Sequence, residues 1–185
     1  VDEEKNDPGK VIGNSYDMPD AVEKITGKTK YCGDYYFPNM VYGKLVFADY
    51  PHARLLDIDV DACLALPGVV WVHCFKTAPV PIIGSLEADM PIIGWNKVRH
   101  TGEIVAIVYA ESQEEADYAA SQLKVTYEPL EPVLDPYEAA KEGAPVVHEE
   151  KPDNVAVRCM IRKGDVDGAI RDAPAVVEGT YYSQR

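Results

Sequence analysis

Several motifs that would point to a function are missing from this 185-residue sequence. No apolar run approaches the roughly 20 residues that cross a bilayer as a helix, and the N-terminus lacks the basic and then apolar order of a signal peptide. The four cysteines form no C-x-x-C pair and the four histidines no H-E-x-x-H, so the spacing of zinc and iron–sulfur sites is absent. No glycine run matches G-x-G-x-x-G or a P-loop. These absences predict a soluble, cytoplasmic protein with no metal ligands, no nucleotide site and no membrane partner.

Basic residues are also scarce. They number 18 against 31 acidic residues, which gives a formal net charge of -13. A field of this sign repels phosphate backbones and anionic lipid, so nucleic acid is not an expected partner. Hydrophobic residues make up 46% of the chain, which is enough for a buried core. The length permits one domain of ordinary size or two small ones.

The N-terminal third predicts an arm, a short helix and then strands. Residues 1–19 are polar, contain glycine and proline and lack periodicity, which is typical of an extended arm. A short helix is expected from Asp20 until Gly27 stops it. Strands are expected at 41–48, 55–60 and 69–75.

The strand at 55–60 and the residues after it predict a definite core face. Leu56, Ile58 and Val60 alternate with two aspartates, so we expect these three side chains in the core and the aspartates in water. Asp61 is expected to cap a helical turn over 62–66, which Pro67 and Gly68 end.

The middle of the chain predicts a long loop and then the most apolar strand. Residues 76–97 combine prolines and glycines with isolated apolar pairs, which favours an irregular loop. A strand is expected at 103–110. Ser112 and Glu115 form an S-x-x-E capping box that starts a helix. The core face of that helix is predicted to consist of small and apolar residues at helical spacing: Ala116, Ala119, Ala120 and Leu123.

The C-terminal third predicts three strands and two short helices. The strands are expected at 124–128, 155–161 and 176–182. One helix should start at Asp135-Pro136 and end at Gly143, and the other should run from Gly164-Asp165 to Arg171. Strands and helices interleave irregularly, so the predicted fold class is α+β, with largely antiparallel strands and short packed helices.

Two side chains near the apolar strand invite a catalytic interpretation. Glu103 could act as a general base if burial raised its pKa, but it could equally be a strand-edge carboxylate held by a backbone amide. His100 could be catalytic or a surface residue. No partner acid, nucleophile or oxyanion site accompanies them in the sequence, so the structural interpretation is favoured for both.

The loop at 78–95 contains more large apolar side chains than a free loop would expose without association. They are Ile82, Ile83, Ile92, Ile93 and Trp95. We expect this loop to face a neighbouring domain or subunit. The alternative is that its side chains close the core of this domain, and their solvent accessibility distinguishes the two.

Collinear motifs carry a family resemblance that covers roughly residues 15–185. Residues 21–31 read A-V-E-K-I-T-G-K-T-K-Y, residues 98–110 read V-R-H-T-G-E-I-V-A-I-V-Y-A, and residues 177–181 read V-E-G-T-Y. They resemble the A-x-x-K-x-T-G-x-A-x-Y, V-R-x-x-G-E-P-V-A-x-V-x-A and V-E-G-x-Y segments of the molybdenum hydroxylase large subunit, the xanthine dehydrogenase and aldehyde oxidase family. Ile104 stands where that family has proline.

The resemblance implies the N-terminal α/β-hammerhead domain, an α+β unit that precedes the molybdopterin-binding domain. We expect this domain to cover residues 20–185 after the arm at 1–19, and the chain to be truncated before the molybdopterin-binding domain. Complete members carry molybdopterin, 2Fe-2S clusters and FAD, and hydroxylate a purine, an N-heterocycle or an aldehyde with oxygen from water. Their catalytic glutamate and pterin-binding loops lie beyond Arg185. The resemblance therefore assigns this chain no catalytic residue, no cofactor-binding residue and no metal ligand.

Three functional hypotheses are consistent with these features. The first is a structural docking domain whose partners are the molybdopterin-binding domain of the same subunit and the iron–sulfur and FAD domains or subunits. The second is a free-standing protein-binding module of the same fold without redox activity. The third is a small independent enzyme, which rests only on Glu103 and His100.

Overall fold

The computed structural model describes residues 11–85 and 87–183. The helices are α1 Ala21–Ile25, α2 Val60–Leu64, α3 Gln113–Gln122, α4 Pro136–Ala139 and α5 Val166–Arg171. The strands are β1 Tyr42–Phe47, β2 Ala53–Ile58, β3 Val69–His73, β4 Ile82–Ile83, β5 Met90–Pro91, β6 Lys97–Val98, β7 Ile104–Ala110 and β8 Val125–Pro129. These helices and antiparallel strand pairs confirm the α+β class. The chain divides into two compact units, each described below by itself.

The first unit is built around a three-stranded sheet in the order β1-β7-β3. β3 and β7 are antiparallel, with Val72 opposite Val108, and both of these side chains are fully buried. The helices α2 and α3 pack against β3 and against each other. The core of the unit therefore lies between this sheet and these two helices.

The start and the packing face of α3 are determined by its sequence. The Ser112 hydroxyl accepts a hydrogen bond from the Glu115 backbone N–H at 3.3 Å, as the capping box predicts. Ala116 and Ala119 are fully buried, and their small side chains let the helix backbone approach the sheet closely. The predicted core face of this helix is confirmed at Ala116, Ala119 and Leu123, whereas Ala120 is only partly buried.

The short N-terminal helix is also confirmed. α1 ends before Gly27, whose φ of +70° is a left-handed conformation that suits glycine. In the predicted arm, residues 11–19 form no helix or strand, and residues 1–10 lie outside the described part of the chain.

The second unit contains a three-stranded sheet in the order β6-β2-β8 and a two-stranded hairpin of β4 and β5. β2 and β6 are antiparallel, with Ala53 opposite Val98. Its core includes apolar side chains together with a buried histidine, lysine and glutamate: Ala48, His52, Ala53, Leu55, Cys74, Ile93, Lys97, Val98, Glu103 and Val105.

The predicted core face of the second strand is wrong at Leu56, whereas Ile58 and Val60 are buried as predicted. Leu56 is exposed, whereas Ala53 and Leu55 are buried. The strand begins two residues earlier than predicted, and the pairing of Ala53 with Val98 sets Ala53 and Leu55 on the inward face, which turns Leu56 outward. Ile58 is buried at the end of the strand, as predicted.

The predicted cap of the next helix is wrong by two residues. Asp59, not Asp61, precedes α2, and its carboxylate accepts a hydrogen bond from the Ala62 N–H at 3.2 Å. Asp61 lies within the first turn, and Val60, predicted to end the strand, begins the helix. An aspartate at either position could cap a helix, and the earlier end of β2 decides between them.

The C-terminal third departs most from prediction. β8, α4 and α5 are present, and Asp135 and Asp165 cap the two helices. However, α4 ends at Ala139, before Gly143. The strands predicted at 155–161 and 176–182 are wrong, because the described residues there adopt no regular secondary structure. A strand needs a hydrogen-bonding neighbour, and the described part of the chain provides none for them.

Candidate docking surface

The loop at 76–97 is largely irregular, as predicted, but it folds over itself in a small hairpin. Ile82 pairs with Pro91 and Ile83 with Met90, and the Ile92 N–H donates to the Pro81 carbonyl at 3.1 Å. At Gly84 a Cβ atom would collide with the backbone carbonyl of Glu87, so a glycine is required there. Leu86 lies outside the described residues.

Five large apolar side chains of this loop remain accessible to solvent. Their exposed fractions range from 43% to 54%. We call this group the loop surface, and its members are Ile82, Ile83, Met90, Ile92 and Trp95. Ile93, by contrast, is 2% exposed. The alternative that all of the predicted loop side chains close this domain's own core is therefore wrong, and a half-exposed hydrocarbon surface is typical of an interface.

The loop is anchored at its C-terminal end. Ile93 is buried, and the N–H of the next residue, Gly94, donates to the Ile104 carbonyl at 2.7 Å. Glu103 is buried, and its Oε2 accepts a hydrogen bond from the Arg99 N–H at 2.7 Å. The loop surface is thus carried on a base fixed by both backbone and side-chain hydrogen bonds.

The two candidate catalytic side chains have structural roles. Glu103 is the strand-edge carboxylate held by a backbone amide that was the favoured interpretation. His100 is exposed, and its Nδ1 lies 3.1 Å from the Thr101 carbonyl oxygen. Their side chains bond to different backbone groups and form no acid–base pair with each other.

An ion pair between a buried lysine and an exposed glutamate, which sequence reasoning missed, lies in the same unit. The Lys97 side chain is only 6% exposed, and its Nζ lies 2.8 Å from Oε1 of Glu149. The hydrogen bond from Lys97 lowers the pKa of the Glu149 carboxyl, and the charges of Lys97 and Arg99 add to that effect. Lys97 and Glu149 are more than fifty residues apart in the sequence, so no local pattern could have revealed this pair.

A second ion pair involves the loop itself. Nζ of Lys151 lies 3.7 Å from Oε2 of Glu87, which connects residues 149–151 to the hairpin. The Lys97–Glu149 and Lys151–Glu87 pairs connect residues 149–151 to the base and to the tip of the loop. Neither ion pair uses the apolar side chains of the loop surface.

A buried histidine, His52, lines a cleft of about 350 Å³ beside Lys97 and Glu149. Nδ1 of His52 lies 2.6 Å from the Glu131 carbonyl oxygen, and the Leu130 N–H donates to the His52 carbonyl at 2.9 Å. These bonds hold the segment after β8 against the start of β2. Nothing in the sequence predicted a role for His52, because its partner is a backbone carbonyl distant in sequence.

A metal or cofactor site needs suitable donor groups placed close together. Within residues 11–85 and 87–183, no group of three or more His, Cys, Asp or Glu side chains could hold a metal ion. The loop surface consists of hydrocarbon and thioether groups and an indole, which offer almost no donors for a pterin or its phosphate. The loop surface therefore does not fit molybdopterin. No described helix is long and apolar enough to cross a membrane.

One protein-family model matches the chain. Described as the aldehyde oxidase and xanthine dehydrogenase a/b hammerhead domain, it matches residues 26–131. This range includes β1 to β8 and the whole loop surface.

Relatives and solved structures agree with that match. The chain is 33% identical over 90% of its length to a probable xanthine dehydrogenase subunit of Bacillus subtilis strain 168, and covers 22% of that protein. It is 31% identical over 95% of its length to the nicotinate dehydrogenase large molybdopterin subunit of Eubacterium barkeri, and covers 41% of it. The quinoline 2-oxidoreductase structure from Pseudomonas putida 86 matches 90% of this chain and 22% of its own, with 29% identity and a TM-score of 0.74. The chain thus spans less than half the length of these relatives.

Proposed function

We propose a structural docking role for this chain, which belongs to the aldehyde oxidase and xanthine dehydrogenase family of molybdenum hydroxylases and contains the α/β-hammerhead domain of that family. In this proposal the parent enzyme is a molybdopterin-dependent oxidoreductase that hydroxylates a purine, an N-heterocycle or an aldehyde. The chain contributes a surface, and the molybdopterin, the 2Fe-2S clusters and FAD are bound by other domains or subunits. The proposed organisation is an arm at 1–19 and then the hammerhead domain at 20–185.

One observation carries the proposal: five large apolar side chains are exposed on a loop whose base is fixed. Covering apolar surface contributes roughly 25 cal/mol per Å² of area removed from water. A loop already held by Ile93, Gly94 and the Lys151–Glu87 pair loses little conformational entropy when a partner covers it. The loop surface is therefore suited to docking against another domain.

The relatives support this proposal over catalysis by the chain itself. The Bacillus subtilis and Eubacterium barkeri proteins extend well beyond the aligned region. The Glu103 and His100 side chains bond to different backbone groups, and the loop surface offers almost no donors for a pterin. We therefore propose that other parts of the parent enzyme perform the redox chemistry. We also propose that this enzyme is soluble and cytoplasmic.

The second candidate, a free-standing binding module, relies on the same loop surface. The two candidates differ in the length of the coding region beyond the Arg185 codon. A reading frame that stops there supports the module, and one that continues into a molybdopterin-binding domain supports the docking domain. The module also predicts a folded, monodisperse chain with no redox activity.

The docking proposal is tested by charging the loop surface in the complete enzyme. Trp95→Asp and Ile92→Asp place a carboxylate where a partner would remove it from water. We expect both variants to lower the thermal stability of the complete enzyme or to release partner subunits in size-exclusion chromatography. Tyr118→Asp is the matched control, because Tyr118 is similarly exposed but lies on α3.

The isolated chain separates docking from folding. Because Trp95 and Ile92 are already half-exposed there, the two substitutions should leave its thermal midpoint nearly unchanged. Docking through the loop is ruled out if the complete enzyme tolerates both loop variants as well as it tolerates Tyr118→Asp.

A further inference from the structure

The cleft of about 350 Å³ in the second unit has two buried polar side chains in its wall. They are His52 and Lys97, each only 5% exposed. Clefts that bind small molecules have volumes of about 300 to 1,000 Å³ and a few polar groups that fix the ligand. The size of this cleft and its buried lysine and histidine are therefore suited to a small ligand.

The hydrogen bonds of Lys97 show which chemical group the cleft can bind. Its Nζ donates to Oε1 of Glu149 at 2.8 Å and to the Val146 carbonyl at 3.5 Å. An ammonium has three N–H donors, so within residues 11–85 and 87–183 one donor of Lys97 is left without a partner. The ammonium therefore holds one carboxylate oxygen and retains a donor for a second oxygen.

Glu149 is the exposed partner in this ion pair. Its side chain is 67% exposed, whereas that of Lys97 is 6% exposed. A carboxylate that is already largely hydrated returns to water at a small cost, but a buried ammonium needs a counter-charge. A free carboxylate that replaced Glu149 would give Lys97 the same charge-assisted hydrogen bond.

The charges around the cleft favour a ligand with a single negative charge. Arg54 lines the cleft together with Lys97, and the charge of Arg99 helps to lower the pKa of the Glu149 carboxyl. Glu131 also lines the cleft, and the whole chain has a formal net charge of -13. Because this negative field opposes every added negative charge, a monoanion is a better occupant than a dianion.

His52 adds a hydrogen-bonding atom that the chain leaves unused. Its Nδ1 lies 2.6 Å from the Glu131 carbonyl oxygen, which can only accept, so Nδ1 carries a proton and Nε2 of the neutral ring is an acceptor. This Nε2 is buried and has no hydrogen-bond partner in the part of the chain that the structure describes. The wall of the cleft thus has polar capacity beyond what the fold itself uses.

We propose that this cleft binds a small monocarboxylate, which takes the place of Glu149 on the Lys97 ammonium. The carboxylate of the ligand accepts the hydrogen bond that Oε1 of Glu149 accepts in this structure. Glu149 is then a tethered competitor, because the chain supplies it at a high effective concentration. This site lies within one unit of the chain and does not depend on the docking of the loop surface.

A titration with acetate followed by NMR tests the site. The signals to follow are the backbone amide of Lys97 and the ring of His52, in the wild type and in Glu149→Gln, with sodium chloride at equal ionic strength as the reference. We expect saturable shifts in both proteins. Binding to Glu149→Gln should be roughly tenfold tighter or more, because the tethered competitor is gone.

Lys97→Met is the matched control, because it removes the ammonium and keeps an apolar side chain of similar length. It should show no saturable shift. The inference is overturned if neither the wild type nor Glu149→Gln binds acetate, which would leave Lys97–Glu149 as a structural ion pair only. It is also overturned if Lys97→Met binds as tightly as the wild type.

Sulfate identifies the class of anion. As a dianion it should bind Glu149→Gln more weakly than acetate, because Glu131 also lines the cleft. Equal or tighter binding of sulfate would overturn the assignment to a monocarboxylate.

Thermal unfolding provides a second measurement. A ligand that binds only the folded chain raises its thermal midpoint. Relative to chloride, acetate should raise the midpoint of Glu149→Gln more than that of the wild type, and should not raise that of Lys97→Met. If Glu149→Gln does not fold, the titration of the wild type against Lys97→Met still decides the question.

This inference and the docking proposal fail independently. Acetate binding is measured on the 185-residue chain, whereas docking is measured by the effect of Trp95→Asp on the complete enzyme. A chain that binds no acetate leaves the loop surface as a candidate for docking. An enzyme that tolerates Trp95→Asp leaves the carboxylate site unaffected.

Discussion

Two regions of this chain differ in burial and in backbone hydrogen bonding. One is the sheet with α3 in the first unit, and the other is the segment from 155 to 183. In the first region Val72, Val108 and Ala116 are fully buried, and the helix begins at a satisfied cap. In the second, side chains such as Val177 and Tyr181 are almost fully exposed, and most of the described backbone outside α5 forms no hydrogen bond. The first region satisfies its own apolar and hydrogen-bonding groups, whereas the second leaves most of its apolar side chains in solvent.

The largest effect expected in the isolated chain comes from a matched pair of substitutions. Val72→Ala removes two buried methyl groups from the core, which should lower the free energy of unfolding by about 2 to 3 kcal/mol. Val177→Ala makes the same chemical change at an exposed position and should alter it by less than about 0.5 kcal/mol. Urea unfolding of both variants measures the difference. Equal losses would show that residues near 177 pack in the isolated chain.

The Lys97–Glu149 ion pair predicts an asymmetry between its two partners, because only the lysine is buried. Glu149→Ala leaves the nearly buried Lys97 ammonium without its counter-charge and should destabilise the chain by about 1 to 3 kcal/mol. Lys97→Met replaces the lysine with an apolar side chain of similar length and leaves an exposed glutamate, so it should cost much less. Chemical denaturation of the two variants checks the order. A larger loss for Lys97→Met would contradict the assignment of the burial cost to the lysine.

The helix cap predicts a smaller loss. Ser112→Ala removes the oxygen that accepts the Glu115 N–H and should lower the free energy of unfolding by about 1 kcal/mol. Ser112→Asp keeps an acceptor at the cap and should lose less. Thermal unfolding compares them, and an equal loss for both variants would show that the side-chain hydrogen bond is not what stabilises the helix start.

The smallest predicted effect is a pH dependence from Glu149. The pKa of this carboxyl is lowered in the folded chain from its ordinary value of 4.5. Its stabilising contribution is therefore complete above that value and is lost as the pH falls through the lowered folded pKa. The difference in thermal midpoint between the wild type and Glu149→Gln should accordingly narrow below pH 4.5. A difference that stays constant with pH would show that the carboxylate is not titrating in this pair.

The sequence predicted the elements whose signals are local. The cap of α3 depends on two residues three positions apart, and the core face of that helix on a 3.6-residue repeat. The strand β7 is a long apolar run. For the loop surface, the content of isoleucine and tryptophan predicted an interface, and the exposed side chains agree with that prediction.

The features that the sequence did not predict depend on distant partners. Lys97 meets Glu149, and His52 meets the Glu131 carbonyl, across long sequence separations. The β4–β5 hairpin has only two residues per strand, too few to show a repeat. The strands expected at 155–161 and 176–182 have the right composition, but composition does not supply the neighbouring strand that a ladder requires.

The central claim is that the loop surface is covered in the complete enzyme. Hydroxyl-radical footprinting with mass spectrometry measures this at individual side chains. Oxidation of Met90 and Trp95 should be rapid in the isolated chain and several-fold slower in the complete enzyme, with Tyr118 on α3 oxidised at the same rate in both. Equal oxidation of Met90 and Trp95 in the two samples would contradict the account.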